Sequence, residues 1–271
     1  MNEETRSQSF GSIASAYERF RPGPPIELVE WMLPSHASTV IDLGAGTGAL
    51  TRLLVPRCET VIAVEPDDRM RAELAANVPN AQAVSGRGES MPLPDGTADA
   101  VLASASWHWM DPIPTLHEVA RVLAPGGSLG AVWAGPDPEG ALLLQAKELL
   151  AQGPRDDAAA AGAVNDELAE GEFAAMIQGD GNRPEFGLTI PDGVPFAQPE
   201  HRTHTWNVAL NADELIGLLG TFSWIIVMPE QARIRLFNEA RRILRDLLDV
   251  ERELTVDVAF QAQAWRAHRH G

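Results

Sequence analysis

The sequence predicts an α/β fold in which a mostly parallel sheet of seven strands is wound on both faces by helices. Short apolar runs alternate with helical stretches from about Thr39 to Trp133. This alternation is typical of parallel strands that are joined by crossover helices. A cluster of glycines follows the first apolar run directly, and two later β-rich runs supply the last strands.

The first five strands are predicted at 40–41, 61–64, 81–84, 100–103 and 128–133. Helices are predicted between them at 49–55, 67–77 and 112–123. Asp67 and Asp111 each precede a helical stretch, where a carboxylate can accept bonds from unpaired backbone amides. Pro112 follows Asp111, and proline is favoured at the first position of a helix.

The regular alternation of apolar runs and helical stretches ends at about Gly135. Segment 136–200 is interpreted as an insertion that forms a helical lid, with a helix at 140–152 and a Gly- and Pro-rich loop at 179–199. A strand at 203–208, helices at 212–219 and 230–250, and a strand at 254–265 complete the chain. Ile234, Phe237, Ile243 and Leu247 lie on one side of the second helix. The predicted organisation is an N-terminal helical segment (1–35), a core (36–135), the insertion (136–200) and a C-terminal part that returns to the sheet (201–271).

The composition narrows the classes of partner. Twenty-one basic and 38 acidic residues give a net charge of −17, and such a field repels nucleic acids and anionic membrane surfaces. The sequence has no apolar run of about 18 residues, which a membrane span would need. The first ten residues lack a signal-peptide core, and Cys58 is the single cysteine, so a reducing cytoplasm is expected. Clusters of Cys and His at ligand spacing are missing, so no metal is expected.

The glycine loop Asp42-Leu43-Gly44-Ala45-Gly46-Thr47-Gly48 predicts a ligand at the end of the first strand. Glycines there let a ligand approach the backbone and the amides of the next helix. Gly44, Gly46 and Ala49 also satisfy the dinucleotide fingerprint, so a nicotinamide-dependent oxidoreductase is the alternative. Asp42 would repel a pyrophosphate but suits the cationic amino group of S-adenosylmethionine (SAM). Glu65, which closes the second strand, suits the ribose hydroxyls of either ligand.

An ordered series of motifs extends beyond this loop. It comprises Phe10…Tyr17…Arg21-Pro22, the glycine loop, Val64-Glu65-Pro66, Gly88-Glu89-Ser90-Met91-Pro92-Leu93-Pro94, Ser106-Trp107-His108-Trp109-Met110-Asp111 and Arg121-Val122-Leu123-Ala124-Pro125-Gly126-Gly127. The series resembles the class I SAM-dependent methyltransferases with a methyltransferase type 11 domain. It is similar, more narrowly, to the small-molecule group that includes trans-aconitate methyltransferase-like proteins. The resemblance implies a Rossmann-like sheet with an antiparallel last strand.

The resemblance also implies which residues hold SAM and release S-adenosylhomocysteine. The methionine part would lie on Asp42, Gly44, Ala45, Gly46 and Gly48, and the ribose on Glu65 and Pro66. The adenine would lie along the backbone of Gly88 and Glu89, next to Arg87, where relatives often carry Asp or a small polar residue. Ser104, Ser106 and Trp107 would lie beneath the sulfonium, and Tyr17 and Arg21 on the N-terminal segment that covers it.

His108, which follows the fourth strand, is the candidate general base for removing a proton from the methyl acceptor. The alternative is that His108 is a buried histidine whose hydrogen bond is structural, and that Trp107 and Trp109 serve only in packing. Other candidate substrate residues are Trp109, Trp133, His204, Trp206 and Trp224. Enzymes that methylate amino groups of nucleic acids carry an Asn/Asp-Pro-Pro-Tyr run after the fourth strand. This chain has Ser104-Ala105-Ser106-Trp107 there instead, and the difference favours oxygen or carbon acceptors. We therefore expect O-methylation of a small carboxylic or hydroxylated metabolite, with a catalytically silent SAM-binding regulator as the other alternative.

Overall fold

The computed structural model describes residues 23–137, 139–141, 187–220, 230–231, 233–234, 237–238, 240–241 and 255–271. Three of the expected site residues, Tyr17, Arg21 and Trp224, lie outside the described residues. The same holds for most of the insertion expected at 136–200. The described part divides into two units. The first comprises 23–134, 187–204 and 262–271, and the second comprises the remaining described residues.

Seven strands form one sheet in the described part, in the order β3-β2-β1-β4-β5-β7-β6. They are β1 (Thr39–Leu43), β2 (Thr60–Val64), β3 (Gln82–Val84), β4 (Ala98–Ser104), β5 (Leu123–Pro136), β6 (Glu200–Leu210) and β7 (Val256–His268). The first five pair in parallel, and the last strands are antiparallel. This arrangement confirms the fold class that the sequence predicts. The strand order reverses between β1 and β4, which is where open α/β sheets bind ligands.

The helices that the structure describes follow the sequence pattern closely. They are α1 (Ile26–Met32), α2 (Thr51–Leu54), α3 (Asp68–Asn77), a 3-10 turn (Trp107–Trp109), α4 (Pro112–Val122) and α5 (Ala212–Leu219). Asp67 accepts bonds from the amides of Arg69 and Met70 at the start of α3, and Asp111 accepts one from Ile113 at the start of α4. Both predicted caps are therefore confirmed.

Two helical stretches differ from the expectation. The helix expected at 49–55 is only Thr51–Leu54, because the chain first closes a turn in which the Gly48 amide donates to the Ala45 carbonyl over 3.0 Å. Of the helix expected at 230–250, the structure describes 230–231, 233–234, 237–238 and 240–241, and these residues are helical. Ile234 there is 51% exposed, so this member of the expected apolar face does not lie in a core.

Strand β5 begins five residues before its expected start. Leu123 pairs with Ala98 and Ser128 pairs with Ala100, so the intervening residues 124–127 face Asp99 alone. This bulge consists of the Ala-Pro-Gly-Gly run, in which Gly126 has φ +79°. The strand starts earlier than expected because the sequence of this run is typical of a loop. Beyond the bulge the strand is buried, and Leu129 packs with Ile41, Val101 and Leu116 in the core of the first unit.

Candidate functional site

The loop after β1 presents two glycines with different surroundings. A Cβ at Gly44, where φ is +69°, would lie 2.6 Å from the Cβ of Ser106, so glycine is needed for the β1 and β4 loops to pack. A Cβ at Gly46, where φ is +57°, would meet nothing within 4 Å. The backbone of Gly46 therefore faces open space, and a ligand can approach it.

Asp42 lies in β1, at the start of this loop, and is buried, with 1% of its surface exposed. Its Oδ2 accepts a bond from the Thr51 hydroxyl over 2.6 Å. Burial raises the pKa of this carboxyl to about 7, and the nearby Glu65 carboxylate adds to the effect. A buried carboxylate with a raised pKa gains most from a cationic partner, because that partner replaces the lost solvation.

Glu65 stands at the end of β2 and is 6% exposed. Its Oε2 accepts a bond from the Gly46 amide and its Oε1 accepts one from the Asp67 amide, each over 2.8 Å. Burial raises the pKa of this carboxyl, although both amide bonds lower it. Each oxygen of an ionised carboxylate has capacity for a second donor, so the oriented group suits a pair of hydroxyls.

The loop after β3 holds the residues expected along the adenine. Arg87 and Ser90 exchange two backbone hydrogen bonds, over 3.2 and 3.1 Å. Gly88 is buried, and a Cβ there would lie 2.5 Å from the sulfur of Met110. The Glu89 Oε1 accepts a bond from the Asp111 amide over 2.8 Å, so this side chain ties the loop to the start of α4. The loop after β3 and the loop after β4 are thus in direct contact.

The loop after β4 contacts the glycine loop through Ser106, whose hydroxyl donates to the Leu43 carbonyl over 2.6 Å. Ala105, just before it, has φ +52° without being glycine. Non-glycine residues in this region cost about 1–3 kcal/mol and cluster at functional sites. The Ala105 amide donates to the Val132 carbonyl over 2.8 Å, and this bond holds the strained residue against β5.

His108 and Trp133 are hydrogen-bonded to each other. The Trp133 indole N–H donates to Nδ1 of His108 over 3.1 Å, and the His108 ring lies 4.5 Å from that of Trp109. Sequence reasoning named all three residues but did not pair the first two. The register of the sheet pairs Ser104 with Val132, so it brings Trp133 to the end of β4, where the loop that carries His108 begins.

Two further rings extend this group. The Trp133 and Trp265 rings meet edge to face with centroids 5.4 Å apart, and His201 lies 4.5 Å from Trp265. We call Trp109, His108, Trp133, Trp265 and His201 the aromatic row. Sequence reasoning gave Trp265 no role, since its place depends on β7 lying beside β5.

Two more of the expected substrate residues are described. His204 Nε2 is 4.0 Å from Glu27 Oε2 on α1. Trp206 belongs to the second unit, where its ring centroid lies 5.5 Å from that of Phe260.

The chemistry of the site fits a cationic ligand that carries a diol. Asp42 supplies a carboxylate for an ammonium, Glu65 an oriented carboxylate for hydroxyls, and Gly46 an open approach. The negative charge of two buried carboxylates would repel the phosphate of a phosphate-bearing ligand. Within the described ranges, no group of three or more His, Cys, Asp or Glu side chains could hold a metal ion. The described helices include none that is long and apolar enough to cross a membrane.

The chain is similar to known methyltransferases in its domain and in its overall sequence. The family model for the methyltransferase domain matches residues 41–131, which span the loops of β1 to β4. An uncharacterized methyltransferase of Mycobacterium tuberculosis is 38% identical over 238 residues, covering 88% of this chain and 86% of the relative. An uncharacterized methyltransferase-like protein of Schizosaccharomyces pombe is 26% identical over 274 residues, covering 99% and 98%.

Solved structures share the fold. A candidate type II methyltransferase from Anaeromyxobacter dehalogenans superposes with a TM-score of 0.60 at 25% identity, covering 92% of this chain and 98% of that one. Phosphoethanolamine N-methyltransferase 2 from Haemonchus contortus, solved with phosphomonomethylethanolamine and S-adenosylhomocysteine, gives a TM-score of 0.51 at 14% identity. It covers 99% of this chain and 59% of that one.

Proposed function

The chain belongs to the class I SAM-dependent methyltransferases, and on that premise we propose that it methylates an oxygen of a small carboxylic or hydroxylated metabolite. We assign it to the small-molecule group that includes trans-aconitate methyltransferase-like proteins, on the motifs of its sequence. The Ser104–Trp107 loop, which lacks the proline-rich run of amino-methylating enzymes, favours oxygen over exocyclic amines. The net charge of −17 supports a small molecule rather than a nucleic acid as partner.

The observation that carries the proposal is the pair of buried carboxylates at the ends of β1 and β2, beside the glycine loop. Ionised Asp42 would pair with the ammonium of the methionine part. Glu65, already oriented by the amides of Gly46 and Asp67, would accept bonds from the ribose hydroxyls. Bound SAM supplies a methyl group on a sulfonium, which transfers to a nucleophile that is aligned with the carbon–sulfur bond.

The residues of the chain contribute alignment and exclusion of water, which can provide much of the acceleration in such a displacement. Ser106 fixes the loop after β4 against the glycine loop through its bond to Leu43. The buried Trp107 and the half-buried Trp109 supply aromatic surface, which is favourable near a sulfonium. A hydroxylated acceptor would also need a base, for which His108 is the candidate, whereas a carboxylate would not.

Two measurements test this function in turn. Calorimetry with SAM and S-adenosylhomocysteine should show binding, and a lack of heat at millimolar ligand would exclude the proposal. A screen of a metabolite extract with methyl-labelled SAM should then label at least one small acid or alcohol. Binding without any labelling would favour the catalytically silent regulator instead. Quenching of fluorescence by NADH but not by SAM would revive the oxidoreductase.

A further inference from the structure

The side chain of Met110 lies between the two loops that are expected to hold the ends of the methyl donor. A Cβ built at Gly88, in the loop after β3, would lie 2.5 Å from the Met110 sulfur. A Cβ built at Gly44, in the glycine loop, would lie 3.3 Å from the Met110 Cε. Because Sδ and Cε are bonded to each other, one thioether faces both loops at once. Sequence reasoning gave Met110 no role.

Met110 explains why residue 88 is glycine. The φ angle of Gly88 lies outside the left-handed region, so a residue with a side chain could adopt the same backbone conformation. The obstacle is steric, because the Met110 sulfur and the Thr115 Cγ2, 3.0 Å from the same Cβ position, already fill the space. The thioether therefore takes the place of a side chain on the loop after β3 and packs directly against its backbone.

The backbone on both sides of this contact is held by hydrogen bonds. The Met110 amide donates to the Trp107 carbonyl over 3.1 Å at the end of the 3-10 turn. The next amide, that of Asp111, donates to Glu89 Oε1 over 2.8 Å. Glu89 follows Gly88 directly, so two consecutive residues of the loop after β3 contact two consecutive residues of the loop after β4. The thioether thus extends from an anchored backbone.

The loop after β4 links two loops whose strands are not neighbours. β1 and β3 lie on either side of β2 in the sheet. The Ser106 hydroxyl bonds to the Leu43 carbonyl at the glycine loop, while Met110 packs against that loop and against the loop after β3. A donor with its methionine part on the glycine loop and its adenine on the loop after β3 requires one defined separation between them.

We infer that Met110 is a positioning residue that sets the separation between the glycine loop and the loop after β3, and thereby the affinity for ligands that reach both loops. The inference rests on the proposed placement of SAM at this site. A ligand that contacts both loops binds tightly only when they are already held at the right distance, because ordering them on binding costs affinity. A ligand that contacts only one of the loops does not depend on that distance.

Calorimetry with two ligands separates this role from a contribution to folding alone. S-adenosylhomocysteine carries both the adenine and the amino-acid part, whereas methylthioadenosine lacks the amino-acid part and reaches only the loop after β3 and Glu65. M110A should raise the Kd of S-adenosylhomocysteine by about ten-fold or more and that of methylthioadenosine by less than about three-fold. Equal losses for the two ligands, or no loss for either, would contradict the inference.

The chain offers a matched control at Met32. Met32 is fully buried, and its sulfur lies 2.8 Å from a Cβ built at Gly130 in β5, so it makes the same kind of contact with a glycine of the sheet. M32A should lower the midpoint of urea unfolding, because it removes a buried side chain. It should leave both affinities unchanged, and a loss of S-adenosylhomocysteine affinity in M32A as large as in M110A would reduce the role of Met110 to general packing.

A double-variant cycle tests the contact between residues 88 and 110. G88A forces the thioether aside, so it should weaken binding of S-adenosylhomocysteine in the wild-type background. In M110A the sulfur is gone, and adding G88A should then weaken binding by less than a further factor of about three. Losses that simply multiply would show that the two positions act independently and would contradict the inference.

A measurement on the unmodified chain does not depend on how the variants fold. The chain has seven methionines, whose ε-methyl groups can be isotope-labelled and observed by NMR. Signals are assigned by their loss in M110L, a nearly volume-conserving change, and in M32A. The Met110 signal should shift when S-adenosylhomocysteine is added, and the Met32 signal should not.

The outcomes separate the inference from the proposed function. A Met110 signal that stays in place while calorimetry shows S-adenosylhomocysteine binding would overturn the inference and leave the proposed function intact. A wild-type chain that binds neither SAM nor S-adenosylhomocysteine would contradict the proposed function, and the inference with it.

Discussion

The carboxylate of Glu65 accepts a hydrogen bond from the amide of Gly46 over 2.8 Å, which joins the end of β2 to the glycine loop. Its other oxygen holds the Asp67 amide over 2.8 Å, at the cap of α3. The residue expected to bind ribose is therefore also a structural link between two loops. Its orientation exists before any ligand arrives, and such preorganisation reduces the cost of binding.

Replacing Glu65 by Gln should weaken both the fold and donor binding. The amide nitrogen of Gln must face one of the two backbone N–H groups, which leaves a buried donor unpaired at a cost of about 1–3 kcal/mol. We expect at least a roughly tenfold rise in the Kd for SAM, equal to about 1.4 kcal/mol. Urea unfolding and calorimetry measure the two effects. Glu59→Gln, at an exposed site at the opposite end of β2, serves as the control and should change neither.

The affinity for SAM should rise with pH through neutrality. The pKa of Asp42 is about 7 in the folded chain, and the ammonium of the ligand prefers the ionised carboxylate. Affinity should accordingly be roughly tenfold higher at pH 8 than at pH 6, as the ionised fraction increases. Calorimetry across this range provides the test. Asp42→Asn should bind weakly with little dependence on pH, and a wild-type Kd that is flat with pH would count against the role of Asp42.

The stability of the free chain should depend on Asp42 in the opposite direction. Its pKa rises from the ordinary 3.8 to about 7 on folding, so between these values the folded state holds more protons than the unfolded state. The stability that this group contributes is complete at low pH and is lost as pH rises through about 7. Asp42→Asn removes this loss, so the variant should gain stability relative to the wild type from pH 5 to pH 8, by on the order of 1–3 kcal/mol. Urea unfolding at both pH values would reveal the difference, and parallel pH profiles would contradict it.

Two alanine substitutions in the glycine loop should separate packing from binding. Gly44→Ala places a Cβ 2.6 Å from Ser106 at a positive φ, so it should destabilise the fold by about 2–4 kcal/mol. Gly46→Ala incurs only backbone strain of about 1–2 kcal/mol, since its Cβ enters open space. That space is where the ligand would lie, so Gly46→Ala should fold and lose SAM affinity. Thermal melting and calorimetry distinguish the variants, and tight SAM binding by Gly46→Ala would place the ligand elsewhere.

Much of the fold follows from local sequence features. The strand and helix pattern predicts the sheet because each element has its own periodicity, and Asp67 and Asp111 mark helix starts because capping involves only the next two or three residues. The glycine loop and Glu65 were likewise identifiable, since each directly follows a buried strand. Their mutual hydrogen bond follows from the parallel pairing of β1 and β2.

Long-range features could not be obtained in this way. The early start of β5 depends on a bulge against Asp99, and a run of Ala-Pro-Gly-Gly is locally typical of a loop. The bond between Trp133 and His108 joins residues 25 positions apart, and Trp265 reaches Trp133 only because β7 inserts beside β5. Tertiary packing, which local propensity does not encode, decides these contacts.

The bond from Ser106 to the Leu43 carbonyl has a practical consequence for redesign. It fastens the loop after β4 to the glycine loop, so substitutions in either loop would disturb both the affinity for SAM and the rate of methyl transfer. Trp265 and His201 stand on β7 and β6, on strands that supply none of the residues expected to hold SAM. A library confined to these two positions could therefore alter the range of accepted substrates while the methyl-donor site keeps its shape.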